Sequence, residues 1–234
     1  MPSFSHRLCS VLAIALSCFF SSRSNAQAPS VVIQLDTQYE LSREPANTAG
    51  LRDVQMAGLS IDAYGMRKNY GLYMFVDAHV GAGLQGGFAY RFACLPFGVS
   101  VYDKHQIVSL GLTYGLQVQG VTYHQDFVVQ TPIRASVHLR VHRRVLINAW
   151  ASNEFTLGVR RGMRSDNAPG GDELRTGVNL RIGESRDTDR KRGRVIEGSG
   201  YTIGVLYAER LETQFWGVSI GYGVDQRPQM QSDN

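Results

Sequence analysis

A two-residue alternation of apolar and polar side chains constrains the fold of this chain more than any other feature. The segment VSLGLTYGLQVQG, residues 108–120, places Val108 and Leu110 on one face and Ser109 and Gly111 on the other. Successive side chains of a β-strand point to opposite faces, so a period of two predicts strands with unlike faces. Because no segment shows sustained helical periodicity, the sequence predicts an all-β protein.

The alternation recurs often enough to predict about ten strands, within a range of eight to twelve. Candidate strands lie at residues 31–41, 54–65, 71–84, 86–94, 97–103, 108–120, 133–144, 145–158, 174–183, 201–210 and 216–224. Short connections such as MRKNY and DKHQ predict hairpins, and therefore an antiparallel meander. Pro96 is expected either to end a strand or to lie at a bulge, and residues 121–130 are a further candidate strand.

Three longer polar stretches, residues 42–53, 160–173 and 184–200, are rich in Gly, Pro, Asn and charged residues. This composition is typical of surface loops, and all three stretches are predicted to be loops. The third is unusual for a barrel, because it falls on the side of the chain ends, where the turns of such proteins are normally short.

The first 26 residues are predicted to be a secretory signal peptide. Arg7 precedes the apolar run LCSVLAIALSCFF, and small residues ending at Ala26 form a cleavage site. The run is too short to span a bilayer as a helix. Residues 27–234 are predicted to form one domain, a barrel with a short tail, DQRPQMQSDN, beyond its last strand.

Export also limits the chemistry of the mature chain. Loss of Arg7 and Arg23 with the signal lowers the net charge from +4 to +2, so the basic isoelectric point does not indicate a nucleic-acid partner. Cys94 is the one cysteine outside the signal, which excludes an intramolecular disulfide and a cysteine-based zinc site. His138 and His142 lie too far apart along a strand to share a metal ion, and no cofactor or metal is predicted.

Alternation alone does not distinguish a soluble sandwich from a membrane barrel, but the glycines on the polar face favour the barrel. On a solvated strand face, glycine lowers strand stability and has no packing role. Inside a narrow closed barrel, small residues make room for long Arg, Gln and His side chains. The glycines that share the polar face are Gly111, Gly115, Gly177, Gly183, Gly217, Gly221 and Gly223.

Charged residues of both signs share the same face, and they are predicted to form an interior network of ion pairs and hydrogen bonds. The segment IRASVHLRVHRR, residues 133–144, supplies much of its positive charge. Its basic side chains are expected to meet a buried acid such as Asp77 or Glu40. The predicted lumen network consists of Asp77, His79, Arg134, His138, Arg140, Arg175 and Arg181.

The signal peptide, the meandering amphipathic strands and the closing segment FWGVSIGYGV resemble small bacterial outer-membrane β-barrel proteins. The resemblance covers residues 31–224, and Tyr201, Tyr207, Trp216 and Tyr222 suit the aromatic girdles of that class. It implies an antiparallel barrel in the cell outer membrane of a Gram-negative bacterium, in contact with outer-membrane lipid. The chain departs from the class by running on past its last aromatic residue.

The predicted function is a non-enzymatic structural or adaptor component of the cell envelope, with protein partners there. A subunit of an export, adhesion or motility machine is one form of that role, and the packed lumen predicts weak conduction or none. The first alternative is a soluble periplasmic β-sandwich or lipocalin-like binding protein. The second is an outer-membrane lipid hydrolase, with His79 and His124 as bases beside Asp77 and Asp126.

Overall fold

The computed structural model describes residues 30–42, 54–67, 70–83, 87–102, 107–121, 126–160, 173–190, 193–210 and 213–228. Consecutive strands pair antiparallel, and the first pairs with the last, which closes the sheet into a barrel. The all-β fold and its ten-stranded meander are therefore confirmed. The strands are β1 (Ser30–Ser42), β2 (Val54–Arg67), β3 (Tyr70–Gly83), β4 (Phe88–Tyr102), β5 (Val108–Val121), β6 (Asp126–His142), β7 (Val145–Arg160), β8 (Glu173–Arg190), β9 (Gly193–Arg210) and β10 (Thr213–Pro228).

The barrel has two ends, which we name by the positions of the first and last strands. At the proximal end β1 begins and β10 ends, and at the distal end β1 ends and β10 begins. Residues 43–53 and 161–172 join strands at the distal end, and both ranges lie outside the described residues, as does the predicted signal peptide. The described part of the chain contains no helix long and apolar enough to cross a membrane.

The two uncertain strand boundaries are resolved by the pairing register. Residues 86–94 and 97–103 were separate strand candidates, but β4 runs through both, and its register shifts between Cys94 and Phe97. Pro96 therefore lies at a bulge, where the missing N–H costs no ladder hydrogen bond. Residues 126–130 belong to β6, so the segment 121–130 adds no strand.

The prediction that residues 184–200 form a loop was wrong, because β8 and β9 extend through this segment as a hairpin. The pairing of β8 with β7 ends at Ile182, whereas its pairing with β9 continues to Arg190. In this extension Arg186 lies directly opposite Glu197. Opposite charges across an antiparallel pair stabilise strands, so a composition typical of loops is compatible with pairing here.

The sequence predicted that the residues after Val224 form a tail, and this prediction was wrong for residues 225–228. Strand β10 continues to Pro228 and keeps its pairing with β9 over this stretch. Asp225 is 5 % exposed and lies inside the barrel. The alternation of inward and outward side chains along β10 places the Asp225 side chain inward. The polar composition of the segment had instead led to the prediction of a tail.

The two faces of the barrel wall differ sharply in chemistry. Among the described side chains, the outer face exposes large apolar residues on every strand but β2, such as Leu112 on β5 and Ile203 on β9. The inner face buries charged and amide side chains, such as Asp36, Arg91 and Gln130. On the outer face the predicted girdle residues form two edge-to-face pairs, with ring centroids 4.9 Å apart for Tyr207 and Trp216 and 5.6 Å apart for Tyr201 and Tyr222.

Glycines make room inside this crowded barrel, mainly for aromatic rings and neighbouring backbone rather than for the long polar side chains that the sequence predicted. A Cβ atom at Gly177 would lie 2.7 Å from the indole ring of Trp150, and one at Gly111 would lie 2.7 Å from the ring of Tyr73. At Gly115 an added Cβ would collide with the carbonyl oxygen of Cys94 on β4. Aromatic rings and close backbone approach, rather than long polar side chains, explain these three glycines.

We expect Gly177→Ala to lower the free energy of unfolding by about 1–3 kcal/mol, because the added methyl group overpacks the Trp150 ring. The measurement is the urea midpoint of unfolding in lipid vesicles or detergent. Gly223→Ala is the matched control, since a Cβ there meets its nearest atom at an ordinary 3.4 Å. Equal midpoints for the two variants would contradict the packing explanation.

Candidate functional site

The barrel interior contains the candidate site. All seven residues of the predicted lumen network have buried side chains, 9 % exposed or less. Six of them divide between two polar clusters at different heights in the barrel, and Arg134 lies between the two clusters. The distal cluster comprises Asp36, Glu40, Asp77, His79, Arg91, Glu154, Glu173 and Arg175, and the proximal cluster comprises His138, Arg140, Arg181 and Asp225.

Two arginines hold the distal cluster together. Arg91 on β4 contacts Asp77 through Nε at 2.8 Å and Glu40 through Nη1 at 2.8 Å. Arg175 on β8 donates to the same Glu40 oxygen at 2.6 Å and to Glu173 at 3.2 Å. Glu40 on β1 therefore bridges two guanidinium groups from opposite sides of the barrel. Such charge-assisted hydrogen bonds are among the strongest in proteins, and they tie distant strands together.

His79 is fully buried between two carboxylates of the distal cluster. Its Nε2 atom lies 2.6 Å from Oδ1 of Asp36, and its Nδ1 atom lies 3.0 Å from Oδ1 of Asp77. The Nε2 atom also lies 3.1 Å from the side-chain nitrogen of Gln38. With a carboxylate oxygen within 3.0 Å of each ring nitrogen and no exposed surface, the imidazole is positioned to join β1 to β3.

Three glutamines, Gln117, Gln119 and Gln130, surround two glutamates that face each other across β7 and β8. Glu154 and Glu173 are direct cross-strand partners. The amide of Gln117 donates to Glu154 at 2.6 Å, and that of Gln119 donates to Glu173 at 2.8 Å. Both amides also donate to the carbonyl oxygen of Gln130. Neutral donors thus stabilise a pair of buried acids that Arg175 alone does not neutralise.

An apolar layer follows the distal cluster along β3 and β4. Tyr64, Tyr73, Phe75, Ala93 and Leu95 pack together there, and we call this group the apolar plug. The rings of Tyr64 and Tyr73 stack with centroids 4.7 Å apart, and Tyr73 donates to Asp62. Because Tyr73 is 0 % exposed and Leu95 is 1 % exposed, water does not reach these side chains from either end.

Arg134 on β6, two strands from β4 in the barrel wall, completes the layer. Its guanidinium carbon lies 3.8 Å from the ring centroid of Phe75 and 4.3 Å from that of Trp150. A desolvated guanidinium between two aromatic faces is stabilised by cation–π attraction. The sequence had predicted an acidic partner such as Asp77 or Glu40 for this strand, but both of those carboxylates pair with Arg91.

The proximal cluster pairs two arginines with one acid. Arg140 on β6 donates through Nη2 to Oδ2 of Asp225 at 2.5 Å, and Arg181 on β8 donates through Nη2 to Oδ1 of the same carboxylate. His138, two residues before Arg140, packs edge-to-face on Tyr64 with centroids 5.2 Å apart. Asp225, rather than Asp77 or Glu40, is therefore the acidic partner of the basic strand.

Sequence reasoning missed several members of these clusters. Glu173 was assigned to a loop and Asp225 to the tail, because both occur in polar stretches with loop-like composition. Arg91 and Glu154 lie in irregular strand candidates, where their face was not assigned. Glu173 lies two positions before Arg175, and Asp225 lies two positions after Gly223. Continuing the alternation of each strand past its predicted end would therefore have placed both side chains inside the barrel.

Two small recesses open at the ends of the barrel. The distal recess has a volume of about 30 Å³ and is lined in part by Glu40, Arg91 and Arg175. The proximal recess, also about 30 Å³, is lined in part by His138 and Arg140. Each has room for about one water molecule. Within the described ranges, no group of three or more His, Cys, Asp or Glu side chains is arranged to hold a metal ion.

Comparison with known proteins assigns no family. No protein-family model matches the chain, and no curated protein matches it. Among solved structures, the chain is similar to the CymD monoaromatic hydrocarbon channel, with 7 % sequence identity and a TM-score of 0.33 over 89 % of this chain and 90 % of that one. At this TM-score the likeness supports no argument about function, which therefore rests on the geometry of the barrel itself.

Proposed function

We propose that the chain is a non-enzymatic β-barrel of the outer membrane with a closed lumen, serving as a structural or adaptor component of the cell envelope. The observation that carries this proposal is the reversed polarity of the wall, with charged side chains inside and large apolar side chains outside. A soluble protein buries its apolar residues and rarely buries unpaired charge. Here 32 large hydrophobic residues are exposed while seven of the described acids are buried.

Lipid is the environment that fits such an outer face. Contiguous apolar surface of this extent is rare on soluble monomers and marks contact with membrane or protein. A closed barrel leaves no unpaired strand edge in the hydrocarbon region, which is the requirement for crossing a bilayer with strands. A lipocalin-like binder would instead bury apolar residues around its ligand, whereas this lumen is filled with paired charges.

A structural role fits the interior better than transport. The apolar plug separates the two polar clusters along β3 and β4, and inward side chains such as His79 and Gln130 are 0 % exposed. The recesses at the two ends have room for single water molecules. Nothing larger passes through an interior packed in this way without rearrangement of the plug.

The interior also argues against the lipid hydrolase. His79 contacts Asp36, Asp77 and Gln38, so no hydroxyl or thiol nucleophile is among its contacts. A general base must reach both a nucleophile and a substrate, and this imidazole is fully enclosed. His124 lies outside the described residues, as does the side chain of Asp126, so the second pair of the hydrolase hypothesis stays a prediction.

Membrane fractionation of the expressed protein tests the proposed function. We expect the chain in the outer-membrane fraction, extracted only by detergent, with a gel mobility that changes on boiling because the closed barrel resists unfolding in cold detergent. Reconstituted into planar bilayers, it should produce no stepwise conductance. Recovery in the soluble periplasmic fraction would contradict the membrane assignment, and reproducible open channels would contradict the closed lumen.

A further inference from the structure

The hairpin of β8 and β9 extends beyond its neighbour β7 at the proximal end of the barrel. Strand β7 pairs with β8 only as far as Ile182, whereas β8 pairs with β9 through Arg190. Residues 183–190 therefore extend past β7 by about 25 Å, at about 3.3 Å per residue. On the other side of the hairpin, β10 pairs with β9 up to Val195. The extension is thus a three-stranded sheet over part of its length, which stabilises it.

The edge of β8 that faces away from β9 is open along this extension. The N–H group of Gly183 donates to the carbonyl oxygen of Arg144 at 2.9 Å, so the backbone groups of Gly183 point away from β9. Residues two apart in an antiparallel strand point their backbone groups to the same side. Those of Ser185 and Asp187 therefore also point away from β9, and no other described strand pairs with them there.

An open edge of this kind is a template for one more strand. Its backbone N–H and C=O groups bind an added extended peptide, and the side chains at alternate positions give selectivity. Glu184 and Arg186 flank the edge on one face of the sheet, and their side chains are 71 % and 82 % exposed. A row of like charges would repel most strands, whereas two charges of opposite sign select a strand with complementary charges.

The turn between β6 and β7 favours one direction for the added strand. Arg143 and Arg144 form this turn, and both are exposed. The bond from Gly183 to Arg144 places the turn at the end of the open edge nearest the barrel. A strand antiparallel to β8 brings its carboxyl end to the two arginines, whereas a parallel strand would bring its amino end there. Charge therefore favours an antiparallel peptide that ends in a free carboxylate.

A second copy of this chain does not fit the edge. Two barrels with the same orientation in one membrane are related by an axis along the membrane normal. Strands of such barrels tilt by about 35–45° from that normal, so two copies of β8 would cross at about 70–90° and their edges could not pair. A peptide segment that is not fixed in the membrane has no such restriction.

We propose that the open edge of β8 is a docking site for the carboxyl-terminal segment of a periplasmic protein. The segment adds as an antiparallel strand, with an acidic side chain opposite Arg186 and its terminal carboxylate at Arg143 and Arg144. This inference rests on the proposed function and names a partner class for the adaptor role. The two longest connections, residues 43–53 and 161–172, lie at the distal end. Since outer-membrane barrels have their short turns in the periplasm, the open edge lies on the periplasmic side.

Fluorescence anisotropy with a labelled heptapeptide tests the docking site on the purified full-length protein in nonionic detergent at low salt. The peptide VTVTETT carries the label at its amino end, a free carboxylate at its other end, and a glutamate in position to lie opposite Arg186. We expect it to bind. Amidation of its carboxylate, or replacement of its glutamate by lysine, should each weaken binding by about twofold to fivefold, because the ion pairs involved are exposed.

Ser185→Pro tests the backbone edge directly. Proline has no N–H group, and it is tolerated on an edge strand where that group does not take part in the ladder. The variant should fold and should bind the peptide about tenfold or more weakly, because the edge loses a donor and the ring obstructs the added strand. Ser185→Ala is the matched control, since it keeps the N–H group and should bind as the unmodified protein does. Gel mobility before and after boiling shows whether each variant is folded.

Arg186→Gln keeps the test decisive if Ser185→Pro does not fold. It should weaken binding of VTVTETT about twofold to fivefold and leave binding of the lysine peptide unchanged or stronger. The proposal is overturned if VTVTETT does not bind, if the amidated peptide binds as tightly, or if Ser185→Pro binds as Ser185→Ala does. Dimers that Ser185→Pro abolishes would also overturn it, in favour of a second copy at the edge. Each of these results leaves the membrane assignment intact, because fractionation tests that separately.

Discussion

Replacing Arg175 by methionine should lower the free energy of unfolding by about 3–5 kcal/mol, the range expected when one partner of a buried ion pair is removed. Arg175 contacts Glu40 at 2.6 Å and Glu173 at 3.2 Å, and all three side chains are at least nine-tenths buried. Methionine keeps much of the volume, so the loss comes mainly from carboxylates left without a counter-charge. Urea unfolding in vesicles, followed by tryptophan fluorescence, measures it.

Arg186→Met is the control for this prediction. Arg186 forms an ion pair with Glu184 at 3.5 Å, but both side chains are more than two-thirds exposed. Exposed pairs contribute about 0–1 kcal/mol, so the control should change the unfolding midpoint little. If Arg175→Met were as mild as Arg186→Met, the distal cluster would not be a source of stability for the barrel.

Ile203→Arg should destabilise the membrane-inserted barrel by about 2–4 kcal/mol, the cost of a lipid-facing arginine near the middle of a bilayer. Ile203 lies on the outer face of β9, 56 % exposed, opposite Ile220 of β10, which in turn lies opposite Thr37 near the middle of β1. The unfolding free energy in vesicles measures the effect.

Leu174→Arg introduces the same charge at the start of β8, near the distal rim. There an arginine reaches the interface, and the expected loss is about 0–1 kcal/mol. A water-facing wall would make both substitutions nearly neutral and Ile203→Arg would improve solubility without detergent. That outcome would contradict the membrane assignment while leaving the closed ten-stranded fold intact.

Much of the fold follows from the order of apolar and polar residues along each strand. A period of two assigns each side chain to one of two faces, so the alternation of β6 predicts that Arg134, His138 and Arg140 share a face, and all three side chains are buried inside the barrel. Composition was a weaker guide at the strand ends. The polar segment 184–200 and the residues after Val224 continue as paired strands, because cross-strand pairing stabilises sequences that have no intrinsic preference for a strand.

The partners inside the barrel required the closed structure. Glu40 and Arg175 are separated by 135 positions, and Arg140 and Asp225 by 85. Their contacts depend on which strands face each other across the lumen and on the register of the closing pair β1 and β10, which are tertiary properties. For the same reason, alternation did not reveal that Arg134 stacks on Phe75 and Trp150 instead of pairing with an acid.

The sequence by itself determined that the chain forms amphipathic antiparallel strands with charges gathered on one face, because side-chain direction in a strand depends only on parity along the chain. The tertiary structure decided that this face is divided into a distal cluster, an apolar plug and a proximal recess. Closure of the barrel sets the distances across the lumen, and those distances select which charges pair with each other.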